Sequence, residues 1–222
     1  MIYLRGMNTI ILVLIVSNVL VSYKGFQDIL FFNRYKFQIG KILEGEKLRM
    51  ITSGFLHGSW LHLGLNMYAL YLFGSIVVNH FSTTNFLLIY FGSMLAGASY
   101  ALYRNKNDHY YSAVGASGAV IGIVFSAIML YPDMELILFP IPIPLPGYVF
   151  GIGYLLYSIY GMKEQLGNVG HSAHLGGAMG GYVLTIFLKP YVVNNNILMI
   201  IVMGAIIAGL LLFGDRLERG FK

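Results

Sequence analysis

A polytopic bundle of transmembrane α-helices is the architecture this chain implies, all-α throughout. Three observations point there. Of the 222 residues, 57% are hydrophobic and 10% are charged, where a soluble domain carries about a quarter charged residues. Mean hydropathy is +0.71. Seven apolar stretches also approach the roughly 20 residues that a helix needs to cross a bilayer.

Taken in order, the stretches are Met7–Tyr23, Leu61–Val78, Asn85–Leu102, Gly115–Tyr131, Tyr148–Tyr160, Val169–Leu188 and Ile197–Phe213. The first lacks a small-x-small cleavage pattern followed by a soluble domain, so a retained helix is expected rather than a signal peptide. The first loop, residues 24–60, mixes Phe31, Phe32, Tyr35 and Phe37 with basic residues. That composition predicts short amphipathic helices lying in the membrane interface. The fifth stretch is short, and the run Phe139–Gly147 before it carries proline at alternate positions. Such a run is extended rather than helical, because proline lacks a donor and restricts the residue before it.

The formal charge of +5 does not imply nucleic acid, because the basic residues scatter over loops without a basic stripe. Anionic lipid headgroups account for them better. Cysteine is absent, so a thiolate nucleophile is excluded and the compartment is not legible from redox chemistry.

Polar residues inside apolar spans are costly in lipid and point to function. Span two opens on His57-Gly58-Ser59-Trp60-Leu61-His62 and continues to Asn66; His62 and Asn66, four apart, share a helix face. Ser117 opens span four in Gly115-Ala116-Ser117-Gly118, and His171 and His174 open span six. If all seven stretches cross, the even-numbered ones run in the same direction. Their N-terminal ends then lie below one membrane face, with His62, Asn66, Ser117 and His174 at similar depth. Gly118 with Gly122, Gly176 with Gly180 and Gly177 with Gly181 have the spacing that lets helix backbones approach closely in lipid.

None of the nine acidic residues lies inside a stretch, and no His-Glu-x-x-His occurs. An acid-completed triad, an intramembrane aspartyl site and the usual zinc-protease signature are thereby disfavoured. A serine with a histidine base remains. Donors for a developing oxyanion are available in the Asn66 amide, a His62 ring nitrogen and the Ser117 backbone N–H near a helix N-terminus. Blander roles stay open. Serine in a membrane helix often bonds a backbone carbonyl, His57 and His62 can anchor at the interface, and His171 can face water. His171 and His174 can also bind a metal with His57 or His62, though no carboxylate or thiolate completes that set. His80 and His109 read as loop residues.

These motifs together resemble the rhomboid intramembrane serine proteases, from span one through span six. Gly115-Ala116-Ser117-Gly118 is similar to the family's Gly-x-Ser-Gly nucleophile motif, Ala173-His174-Leu175-Gly176-Gly177 to its base segment, and His57 with Leu61–Met67 to its oxyanion-donor motif. Arg49 stands where the family often has a first-loop arginine. The resemblance implies a six-helix core over residues 1–190 and a seventh helix with a short tail over 191–222, located in a cell membrane. It implies a Ser117–His174 dyad, oxyanion donors at His62 and Asn66, and no cofactor. Single-span membrane proteins are the implied substrates. An aromatic that stacks on the base in some members has no counterpart at Ile121, which leaves Tyr68, Tyr110 and Tyr111 as candidates to hold His174. Where some bacterial members carry an acidic residue late in span two, this chain has Ile76, Val77 and Val78.

Orientation is contested. The family's topology, with an inside N-terminus, leaves only Arg5 and Lys189 of the 14 basic residues inside, against the positive-inside rule. Two rival functions complete the sequence reading: an inactive relative that binds membrane clients, and a small histidine-containing transporter.

Overall fold

The computed structural model describes residues 8–138, 141–164 and 170–219, without the side chains of 138, 141, 142 and 212–219. The expected starts of the first and sixth stretches, Met7 and Val169, fall outside the described residues. In chain order the elements are α1 (Thr9–Gln27), α2 (Ile29–Tyr35), β1 (Phe37–Gln38), α3 (Ile39–Leu43), α4 (Arg49–Thr52), α5 (Trp60–His80) and α6 (Thr83–Arg104). There follow β2 (Ser112–Ala113), α7 (Ser117–Leu130), β3 (Glu135–Leu138), β4 (Ile141–Pro146), α8 (Gly147–Lys163), α9 (His171–Leu188) and α10 (Ile197–Arg219). Each apolar stretch is thus a helix, and the fold is an all-α membrane bundle.

Local chemistry sets the boundaries. Asn8, Ser59 and Ser82 cap α1, α5 and α6 with side-chain oxygens that accept from Ile10, His62 and Asn85 N–H, satisfying donors that a helix start leaves unpaired. α1 runs four residues past the expected Tyr23, so the first loop begins at Asp28 rather than Lys24. Asp28 stops α1 and caps α2, accepting from Leu30 and Phe31 N–H. α10 likewise passes Phe213, continuing to Arg219.

The first loop folds into the expected short helices. Arg49 ties them together: its guanidinium is buried, paired with Glu46 at 2.7 Å, and donates to the Asn33 and Lys36 carbonyls at 2.9 and 3.0 Å. Residues 141–146 of the proline-rich run are extended as expected, forming β4 paired antiparallel to β3, while Gly147 already opens α8 and Phe139 and Pro140 lie outside the described residues. Pro144 and Pro146 have no N–H, so β4 lacks donors at those positions for a further strand.

α5 and α6, with 21 and 22 residues, reach about 32 Å at 1.5 Å per residue. They and α1 have the length and apolarity to cross a membrane on those grounds. α7 has only 14 residues, about 21 Å, against a hydrocarbon core of about 30 Å. Every α7 residue from Gly118 to Leu130 except Ile121 is buried, as expected of a helix apolar all round. Ser117 is the first residue of this short, enclosed helix.

Glycine decides how the centre packs. α9 carries two adjacent Gly-x-x-x-Gly rows, and each faces a different neighbour. A Cβ on Gly176 would lie 2.6 Å from the Ala96 carbonyl oxygen on α6, and one on Gly180 would lie 2.9 Å from Ser93 Cα. On the other row, a Cβ on Gly177 or Gly181 would overlap the carbonyl of Gly118 or Gly122 on α7. α9 is therefore wedged between α6 and α7 at a separation that no larger residue permits.

Candidate active site

The close approach of α7 and α9 brings two sequence-selected side chains together. Ser117 Oγ lies 2.7 Å from His174 Nε2, and both residues are half-buried. The two are 57 residues apart in sequence, so the juxtaposition is wholly tertiary. It places the N-terminal ends of α7 and α9 at one level.

The N-terminus of α7 has no side-chain cap. Its first intrahelical bond runs from Val120 N–H to the Ala116 carbonyl, so the N–H groups of Ser117, Gly118 and Ala119 have no partner within the helix. Together with the helix dipole they make a place for negative charge next to Ser117 Oγ. Gly115 precedes them with φ +129°, a conformation that suits glycine. A Cβ there would also lie 2.8 Å from His62 Nε2 and 3.6 Å from Ser117 Oγ. The missing side chain is the space that His62 and Ser117 share.

Asn66 is buried one turn beyond His62, and its Nδ2 donates to the His62 carbonyl at 2.9 Å. Among the described residues it makes no direct hydrogen bond to Ser117 or His174. His171 is buried, with its ring 6.4 Å from that of His174 and 5.5 Å from Tyr157. Among the described residues no three histidine, cysteine, aspartate or glutamate side chains gather as a metal site would need. His80 is no loop residue; it ends α5 and bonds Tyr131 at 2.8 Å.

The group that orients His174 is a correction to the sequence reading. Tyr68, Tyr110 and Tyr111 do not hold it. Tyr154 does, from α8: its hydroxyl lies 2.9 Å from His174 Nδ1, and the rings are stacked at 6.3 Å with a 28° interplanar angle. In the tautomer that leaves Nε2 free to accept the serine proton, Nδ1–H donates to the phenol oxygen. A neutral oxygen thereby does the orienting that a carboxylate does in a triad. Stacking from the fifth span supplies what Ile121 does not. The sequence carried one faint sign, a tyrosine in the middle of an apolar span. Tyr154→Phe removes one hydrogen bond of about 1–1.5 kcal/mol, and kcat is expected to fall about tenfold with KM unchanged. Single-turnover kinetics on a transmembrane substrate check this.

His57 is buried in the loop ahead of α5, with its ring 5.0 Å from that of His62. Burial first, and His62 second, push its imidazole down from 6.5 to about 3. The folded protein thus keeps it neutral where the unfolded chain takes up a proton. Its stabilising contribution is complete above about pH 6.5 and is lost progressively as pH falls towards about 3. Melting temperatures should drop across that window, and less steeply in His57→Gln.

Against known proteins, residues 44–191 match the family model described as "Rhomboid domain". "Rhomboid protein 1, mitochondrial" of Saccharomyces cerevisiae is 32% identical over 138 residues, covering 61% of this chain and 40% of that protein. "RHOMBOID-like protein 12, mitochondrial" of Arabidopsis thaliana is 29% identical over 195 residues, covering 79% and 58%. The human "Presenilin-associated rhomboid-like protein, mitochondrial" is 31% identical over 139 residues, covering 60% and 35%. The matches therefore span between 35% and 58% of these relatives' lengths.

Proposed function

Because the chain belongs to the Rhomboid family, we propose that this integral membrane protein is a serine endopeptidase that cuts single-span membrane proteins in or near their transmembrane segment. The observation that carries the reading is the 2.7 Å contact between Ser117 Oγ and His174 Nε2.

Ser117 Oγ attacks the scissile carbonyl carbon while His174 Nε2 takes its proton. The carbonyl oxygen gains the negative charge and is met by the unpaired N–H groups at the start of α7 and by His62. Asn66 assists by fixing the turn that carries His62, and by its remaining amide hydrogen. Collapse expels the amine, which leaves with the proton from His174. Water, deprotonated by the same nitrogen, then hydrolyses the ester and restores the serine. A substrate helix must open to expose its carbonyl, so glycine, proline or polar residues near the cut favour cleavage.

The test is the purified protein in liposomes with a model single-span substrate and a fluorophosphonate probe. Specific cleavage, with labelling confined to Ser117, is expected. A folded protein that binds the substrate but neither cleaves nor takes the label supports the client-binding alternative instead. Our proposed location is a cell membrane, with the catalytic mouth outside. The mitochondrial names of the relatives make an organelle membrane the competing location. Asn107→Cys, in a chain without other cysteines, should react with an impermeant maleimide on intact cells; reaction only after lysis reverses that assignment.

A further inference from the structure

We propose that His57 is a positioning residue, fixed in one tautomer by Ser22 of α1, that holds the Ala116–Ser117 backbone in register. The inference rests on the reading of Ser117 as nucleophile. Neither His57 nor Ser22 lies in direct hydrogen-bond contact with Ser117 or His174.

Four groups form an unbroken chain in the protein interior. Ala116 N–H donates to His57 Nε2 at 3.4 Å. His57 Nδ1 lies 2.8 Å from Ser22 Oγ, and Ser22 Oγ donates to the Phe55 carbonyl at 2.9 Å. Both ends have fixed polarity: an amide N–H only donates, and a carbonyl only accepts. His57 must therefore present a bare Nε2 to Ala116 and carry its proton on Nδ1, which donates to Ser22. The Ser22 proton then has one destination, Phe55. A single proton arrangement satisfies the chain. His57 and Ser22 are fully buried, so water offers no substitute for either bond.

The chain works with a second tether, from Gly115 N–H to the Ser53 carbonyl at 3.0 Å. Two successive amides before Ser117 are thus pinned to the first-loop segment, which fixes where the α7 N–H groups point. Around the imidazole, α1 contributes Ser22, the α7 entry contributes Ala116, and α5 contributes His62, the titratable group whose ring meets that of His57. A proton on Nε2, whether from the other tautomer or from the cation, would set N–H against N–H and push the nucleophile's turn away. A displacement of about 1 Å is enough to cost about a hundredfold in rate.

The test uses the full-length protein in nanodiscs. Nitrogen-15 histidine spectra, with the His57 signals assigned by their loss in His57→Gln, are expected to show Nδ1–H and bare Nε2 at neutral pH. Ser22→Ala should mix the tautomers and speed hydrogen exchange at Ala116 and Ser117. It should also lower kcat about tenfold with KM within about twofold. His57→Gln, which keeps an acceptor near the Nε2 position, should retain more kcat than His57→Phe. A wild-type Nε2–H tautomer overturns the proposal. So does Ser22→Ala with unchanged exchange at Ala116, or equal kcat losses in the Gln and Phe variants. Absence of cleavage by the wild type would instead strike the proposed protease activity, while the tautomer and exchange data still decide the role of His57.

Discussion

Ser117→Ala is expected to lower cleavage of a transmembrane substrate by at least about a thousandfold while the fold persists. That is about 4 kcal/mol of transition-state stabilisation. The reason is local: the hydroxyl is the group 2.7 Å from His174 Nε2, and α7 has no side-chain cap that its removal would disturb. His174→Ala should cost as much, because an uncharged hydroxyl without its base is a poor nucleophile. The double variant should be no worse than either single one, since the two act as a unit. Residual activity near the wild-type level in Ser117→Ala would exclude the proposed mechanism. Melting curves and substrate-binding measurements on the same samples separate lost chemistry from lost structure.

Gly177→Ala is expected to be nearly as damaging through a different cause. The added methyl meets the Gly118 carbonyl on α7, which is backbone in the middle of a packed crossing and has no rotamer to yield. The helices must separate. Overpacking of this kind costs about 1–3 kcal/mol in stability. The same separation pulls His174 away from Ser117, and about an ångström of it costs about a hundredfold in kcat. Gly153→Ala is the control. A Cβ at Gly153 has nothing within 4 Å, so stability and rate should stay close to wild type. If Gly177→Ala melts and cleaves like Gly153→Ala, the glycine rows do not set the distance between the two side chains.

Much of the bundle was legible because lipid imposes a simple rule, that spanning segments be long, apolar and helical. All seven stretches read from hydropathy are helices, and the alternate prolines at 142, 144 and 146 lie in an extended segment. Boundaries shifted where a cap or a charge acted instead of hydropathy. α1 passes Lys24, which pairs with Asp28 at 3.0 Å, and Asp28 then closes the helix. Ser117 and His174 stood out together rather than singly, because each opens an apolar run of the same direction within a glycine-bearing motif.

Tyr154 did not stand out, since a tyrosine among apolar residues reads as an ordinary membrane residue. Only the turn of α8 against α9 aims its hydroxyl at His174. The double glycine row had the same ambiguity. Its spacing implied close packing but not which neighbour each row meets, and the structure assigns one row to α6 and the other to α7. His57 was a third instance, a histidine whose partners Ser22 and Ala116 come from distant parts of the chain.

The chain itself determined which segments enter the membrane and which few residues there bear reactive groups, because partition into lipid and intrinsic reactivity belong to single residues and short windows. Depth, distance and orientation were decided by the assembled helices alone. Hydrogen bonds and backbone contacts hold over a few ångströms, and only the packed bundle brings residues that stand 20 to 59 positions apart within that range.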